Sequence, residues 1–205
     1  MLSILLFFAT FAFESQVVGV AAENTLTSRQ VNAHVIFSSL YKPDAEKLFY
    51  SLPLKSQDLM SATSNLLMEF LIVEDAKSFQ LATLSKNEVK QRLVYFKRAI
   101  KQSQYSKNWN VLQISDAELL EIAQIKLRAV KFLQTKMESF TVPISEVEIN
   151  ARLEQYKKNH PKMELASLKE KIKVDLKADK IQSDLREWFQ LLRTKYVVKN
   201  LLIQS

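Results

Sequence analysis

Cysteine is absent from this 205-residue chain, and glycine occurs once, at Gly19. Without cysteine there can be no disulfide framework and no thiolate metal ligand. A lipid-anchored lipoprotein, which needs a cysteine after its apolar leader, is excluded as well. The scarcity of glycine bears on three kinds of loop. Nucleotide-binding loops use glycine to bring backbone amides close to phosphate. Nucleophile elbows use it for a strained turn, and tight two-residue hairpins use it for positive φ. None of the three is expected here. Histidine is nearly as rare, with only His34 and His160, and neither has a partner at metal-ligand spacing. His160, before Pro161, reads as a solvated helix-end residue. His34, among apolar neighbours, reads as a half-buried helix residue. No Ser, His and Asp set can be assembled. Glu146 and Glu148 stand two apart, so on a helix they face different sides, and first-turn carboxylates there favour the helix dipole. The chain reads as non-enzymatic, with no catalytic residue, no metal and no other cofactor.

The N-terminal apolar run, Met1 to Phe13, stops at Glu14. It is shorter than the roughly 20 residues that cross a bilayer, and it has the length of a signal-peptide core. Small residues follow at Val20-Ala21-Ala22. The expectation is a leader over residues 1–22, cleaved near Ala22, and a periplasmic protein with no membrane span after cleavage. The net charge of +7 becomes +8 when Glu14 leaves with the leader. Such a basic surface suits acidic polypeptide, anionic lipid or nucleic acid, but export argues against nucleic acid. Residues 23–205 are then one helical domain, or a pair of packed lobes. At this length a domain can bury about 70% of its unfolded surface without covalent staples.

Helix starts are legible. A Ser or Thr followed three residues later by Glu or Gln can form a reciprocal capping box. Candidates are Thr27 with Gln30, Ser85 with Glu88, Ser115 with Glu118, Ser145 with Glu148, and Ser167 with Glu170. Apolar periodicity predicts helices over about 28–40, 56–78, 86–102, from Ser115 onward, 146–159 and 165–195. Leu119, Ala123, Leu127, Val130, Leu133 and Met137 form one buried stripe after Ser115. Leu165, Leu168, Ile172, Leu176, Ile181, Leu185, Trp188 and Leu192 form another, with Trp188 expected to pack against the helix after Ser115. Breaks are placed at Pro53, Pro143 and Pro161. The expected class is all-α, closed by a long C-terminal helix.

The order of three motifs resembles the SurA-type periplasmic chaperones, with the related PrsA-like and trigger-factor-like helical peptide-binding domains. The first is Leu66-Leu67-Met68-Glu69-Phe70-Leu71-Ile72-Val73-Glu74-Asp75-Ala76, followed by Leu84-Ser85-Lys86-Asn87-Glu88-Val89. The second is Val142-Pro143-Ile144-Ser145-Glu146-Val147-Glu148-Ile149, ending at Gln155-Tyr156-Lys157-Lys158-Asn159. The third runs from Leu168 to Leu176 and then from Leu185 to Arg193. Two departures stand out. Asn159 leads almost directly into Leu165, where many members carry a glycine-containing parvulin domain, and the family's early Val-Asn-Gly hairpin is missing.

The resemblance implies a holdase-type chaperone module without prolyl isomerase activity. Its clients would be unfolded or extended exported chains, with outer-membrane proteins among the candidates. Met60, Met68, Phe96, Trp109, Met137, Phe140 and Tyr156 are the candidate client-binding residues, because methionine and aromatic side chains suit adaptable apolar recognition. The alternative reading is an exported helical adaptor with one specific folded partner.

Overall fold

A computed structural model describes residues 15–41, 52–79, 83–140, 142–159 and 162–203. His160 and Pro161 lie outside them. Seven helices and three short strands are present among the described residues. The chain divides into two compact units. One comprises Met1–Ala129 together with Tyr196–Ser205, and the other comprises Val130–Lys195.

The first unit departs from the all-α expectation by a small antiparallel sheet. Strands β1 (Val17–Ala21) and β2 (Asn24–Thr27) form a hairpin, and β3 (Val198–Asn200) pairs on the other side of β1. Ala21 faces Asn24 across the hairpin, which leaves a two-residue turn, Ala22-Glu23. Ala22 takes φ 51°, a left-handed conformation that costs a residue with a Cβ about 1–2 kcal/mol. The hairpin therefore forms without the glycine expected for such a turn. Its side chains and the chain ends hold it: the Asn24 side-chain amide donates to Ala21 O at 3.5 Å, and Ala22 N donates to Val197 O at 2.8 Å.

Strand β1 lies in the segment, residues 1–22, that the sequence assigns to a removable leader. Val18 and Ala21 are fully buried. Gly19 lies where β1 meets the helix α2. A Cβ there would stand 3.2 Å from side-chain carbons of Leu67 and Thr63. The single glycine is thus placed for close approach of strand to helix, and its φ is not positive.

Helix α1 (Ser28–Ser39) follows β2 directly, with the full capping box of Thr27 and Gln30. Helix α2 (Ser56–Ser78) carries the apolar stretch from Leu66 to Val73, where most side chains are buried. Helix α3 (Lys86–Lys101) starts at Ser85, whose Oγ accepts from Glu88 N. Helix α4 (Ser106–Leu112) was not foreseen; it lacks a side-chain N-cap and ends on Gln113 at φ 48°. Helix α5 (Asp116–Ser139) begins with a reciprocal pair: Ser115 N donates to Glu118 Oε2 at 2.9 Å, and Glu118 N donates to Ser115 Oγ at 3.2 Å.

The predicted stripe on α5 is too narrow. Ile122, Ile125, Ala129 and Phe132 are buried as well as Leu119, Ala123 and Leu127, while Met137 is 36% exposed. A single stripe describes a helix covered on one side; α5 is covered over much of its circumference.

In the second unit, α6 (Glu146–Asn159) and α7 (Leu165–Lys195) form a helical hairpin. Paired residues run in opposite order, Glu148 with Lys180, Arg152 with Asp179 and Tyr156 with Asp175. Ile149, Leu168, Ile172 and Leu176 are its small core, with Ile144, Leu153 and Tyr156 at the margin. Ser145 caps α6 as expected, exchanging bonds with Glu148. Ser167 and Glu170 do not cap α7. The helix already begins at Leu165, and Leu168 N donates to Glu164 O. Toward the end of α7, Trp188 is buried and meets Phe132 of α5 edge-on, with ring centroids 5.9 Å apart.

Candidate client-binding surface

The seven residues proposed for client contact are divided between the two units. Met60, Met68, Phe96 and Trp109 belong to the first unit, and Met137, Phe140 and Tyr156 to the second.

Phe96 is only 1% exposed. It stacks between Phe37 and Trp109, with centroids 4.9 Å from each. Burial of this kind makes it a core residue, and a client could reach it only by displacing Trp109 or α1. Trp109 is half-buried at the edge of the same stack. Met60 and Met68 are half-buried on α2. The Met60 carbonyl is already engaged by the Asn200 side-chain amide at 2.9 Å, which also donates to Ser64 Oγ at 2.8 Å. That amide fixes β3 to α2. In the second unit, Phe140 lies under the Lys136 ammonium at 5.7 Å, which stands at the same distance from the Trp188 ring. Tyr156 donates its hydroxyl to Asp175 Oδ2 at 2.8 Å. That bond pushes the Tyr156 pKa up and the Asp175 pKa down.

Two hollows were not legible in the sequence. One, of about 240 Å³, is lined by Asn32, Leu52, Pro53, Lys107, Asn108 and Val111, with Leu112. Its amides are occupied within the protein. Asn32 donates to Ser28 O and accepts from Leu54 N, and Asn108 donates to Leu52 O. What remains is apolar wall, and its size is below the roughly 300–1,000 Å³ of small-molecule sites. The loop before α2 and the unforeseen α4 build this hollow, so neither helical periodicity nor a motif could announce it. The second hollow, of about 300 Å³, is open and lies along α3 between Lys90, Val94 and Arg98.

His34 is a strongly perturbed titratable group. It is buried rather than half-buried, 6.4 Å from the Phe70 ring. Burial, and secondarily the positive charge of Lys126, pushes its pKa down to about 3. Lys126 is itself paired with Glu69. His34 is therefore a neutral core side chain at pH 7. Among the described residues, no cluster of three or more His, Cys, Asp or Glu could hold a metal ion. No described helix is long and apolar enough to cross a membrane.

Exposed apolar side chains occur on both units, among them Phe79 and Val94 on the first. Val147 on α6 is 78% exposed, and Leu165, Val174 and Leu191 on α7 are 52–65% exposed. Met163, between the two helices, is 39% exposed. Basic groups of the same hairpin, such as Lys180 and Arg152, are paired with Glu148 and Asp179.

Comparison of the chain with models of known protein families gives no match. Comparison with curated proteins gives none either.

Proposed function

We propose that this protein is an exported, holdase-type chaperone that binds unfolded or extended polypeptide and has no prolyl isomerase activity. The observation that carries the reading is the α6–α7 hairpin. It is a thin helical arm with a small core of its own, yet Val147, Leu165, Val174 and Leu191 stand out from it into solvent. Single exposed apolar residues are ordinary. Several on this hairpin, together with the partly exposed methionines 137 and 163, are apolar groups that an extended polypeptide can contact from more than one side, and methionine adapts to different partners. The order of motifs resembling SurA-type proteins supports the same reading.

The test is suppression of aggregation of a chemically unfolded client as the protein is titrated in. A Val174→Asp, Leu191→Asp double variant should leave the melting curve nearly unchanged, because exposed substitutions stay within about 0.5 kcal/mol. It should weaken client protection several-fold. Crosslinking in the periplasm should trap many unfolded partners. Capture of one folded partner, with no protection of unfolded clients, would overturn the reading in favour of an adaptor.

A further inference from the structure

The small residues Val20-Ala21-Ala22 look like a leader cleavage site, yet each has another physical reason to be there. Val20 and Ala21 lie in β1, which is the central strand of the sheet. Ala21 is fully buried, so a larger side chain has no room. Ala22 forms the tight turn into β2 at φ 51°. Strands β2 and β3 pair only through β1. Cleavage after Ala22 would remove the strand between them and open the turn. It would also take away Gly19, the one glycine, from its close contact with Thr63 and Leu67. The ordered register continues upstream. Gln16 O accepts from Ser28 N at 2.8 Å, and Gln16 N donates to Ser28 Oγ at 3.2 Å. Gln16 is thus tied into the same hydrogen-bonded structure as β1 and β2.

We infer that, when this chain is exported, its leader is cut upstream of Gln16, and that Val17–Ala21 stays in the mature protein as its central strand. This rests on the export reading and changes what export removes. A peptidase hydrolyses one peptide bond, with water completing the new carboxylate and the new amine. Recognition needs small residues at the first and third positions before that bond. Thr10-Phe11-Ala12 supplies them, near the end of the apolar run and before Phe13. A cut there releases the apolar run and leaves the whole sheet on the protein.

The experiment is expression of the full chain in a bacterium with an intact export pathway. Intact mass and N-terminal sequence are then determined on the protein from each compartment. A periplasmic product starting between Phe13 and Gln16 is expected. A periplasmic product starting at Glu23 would overturn the inference and leave export standing. A product that keeps Met1 in the cytoplasm would overturn the export reading and the inference with it. A second measurement concerns the strand itself. Val18→Ala, made in the full chain, should lower the melting temperature of the purified product by several degrees. A residue discarded with a leader has no such effect, so an unchanged melting temperature would also overturn the inference.

Discussion

The two compact units are built on opposite balances of core and surface. The first unit packs a sheet, four helices and the first part of α5, with Phe37, Phe96, Leu71, Ile36 and Val18 almost wholly out of water. It accepts two costly left-handed residues, Ala22 and Gln113. Among its described residues the second unit has no strand and buries little beyond Ile149, Leu168, Ile172, Leu176, Phe132, Trp188 and Leu192. Its hairpin is instead trimmed with polar pairs, namely Glu148 with Lys180, Arg152 with Asp179 and Tyr156 with Asp175. Solvent-exposed pairs of this sort are screened by water and contribute little. A large core can carry strained turns, whereas a thin hairpin is held by modest terms and opens more readily.

The strongest way to test this contrast is to remove the C-terminal segment, which carries one element of each unit. A chain ending at Asn159 loses α7, most of the second unit's core, and also β3, a neighbour of the central strand. Cooperative thermal unfolding should disappear, as followed by circular dichroism. A sharp transition in the truncated chain would mean that the first unit needs neither.

Next in size are paired large-to-small core changes. Phe37→Ala and Trp188→Ala each remove a buried aromatic, at about 3–5 kcal/mol. The two should differ in where the damage appears. Hydrogen exchange should accelerate throughout α1 and α3 for Phe37→Ala. For Trp188→Ala it should accelerate within α6 and α7, leaving β1 protected. Loss of protection in β1 from Trp188→Ala would erase the distinction between the units.

Acid should separate the units by pH. His34 has a folded pKa of about 3 against an unfolded value near 6.5. The unfolded chain therefore takes up a proton that the folded chain refuses. Stability from this group is fully present above about pH 6.5 and falls by about 1.4 kcal/mol per pH unit on acidification, until pH 3. Glu148, by contrast, is held down to about 2, first by Lys180 and then by Ser145. Its contribution is present above about pH 4.5 and is lost as pH falls toward 2. The two tryptophans report separately, Trp109 in the first unit and Trp188 in the second. The loss of stability read by Trp109 should begin near pH 6.5 and vanish in His34→Phe. A Trp109 signal independent of pH down to 4 would contradict the buried, neutral histidine.

The smallest effect belongs to a cap. Ser145→Ala removes the Oγ that accepts from Glu148 N at 3.3 Å. It should cost about 0.5–2 kcal/mol, felt in exchange at the start of α6 and not in the first unit. An equal change at α1, which has its own cap at Thr27, would deny that the units respond separately.

Helix positions were legible because their signals are local. The start of α1 at Thr27 and of α3 at Ser85 follows from a side chain reaching an amide three residues on. The burial of Leu168, Ile172 and Leu176 follows from a 3.6-residue period. Ser167 with Glu170 shows the weakness of the same rule: the pattern recurs inside a helix that had already begun at Leu165. The sheet was illegible for a different reason. Its central strand lies next to an apolar leader-like run, and its third strand comes from the far end of the chain, so no short window contains the pairing. The candidate site was less legible still. Phe96 and Trp109 have the composition of a binding surface, but their contact with each other and with Phe37 places Phe96 in the core.

The sequence by itself determined the helical class, most helix boundaries, the lack of thiol chemistry and the basic charge. Each of these depends on residue type or on neighbours within one or two turns. Only the tertiary structure decided that Val17–Ala21 is a core strand, that Gly19 marks a close approach to α2, and that the chain divides into two units. These depend on contacts between residues far apart in sequence, such as Gly19 with Asn200 across the sheet and with Leu67 on α2. Burial is a property of such contacts, and no residue carries it alone.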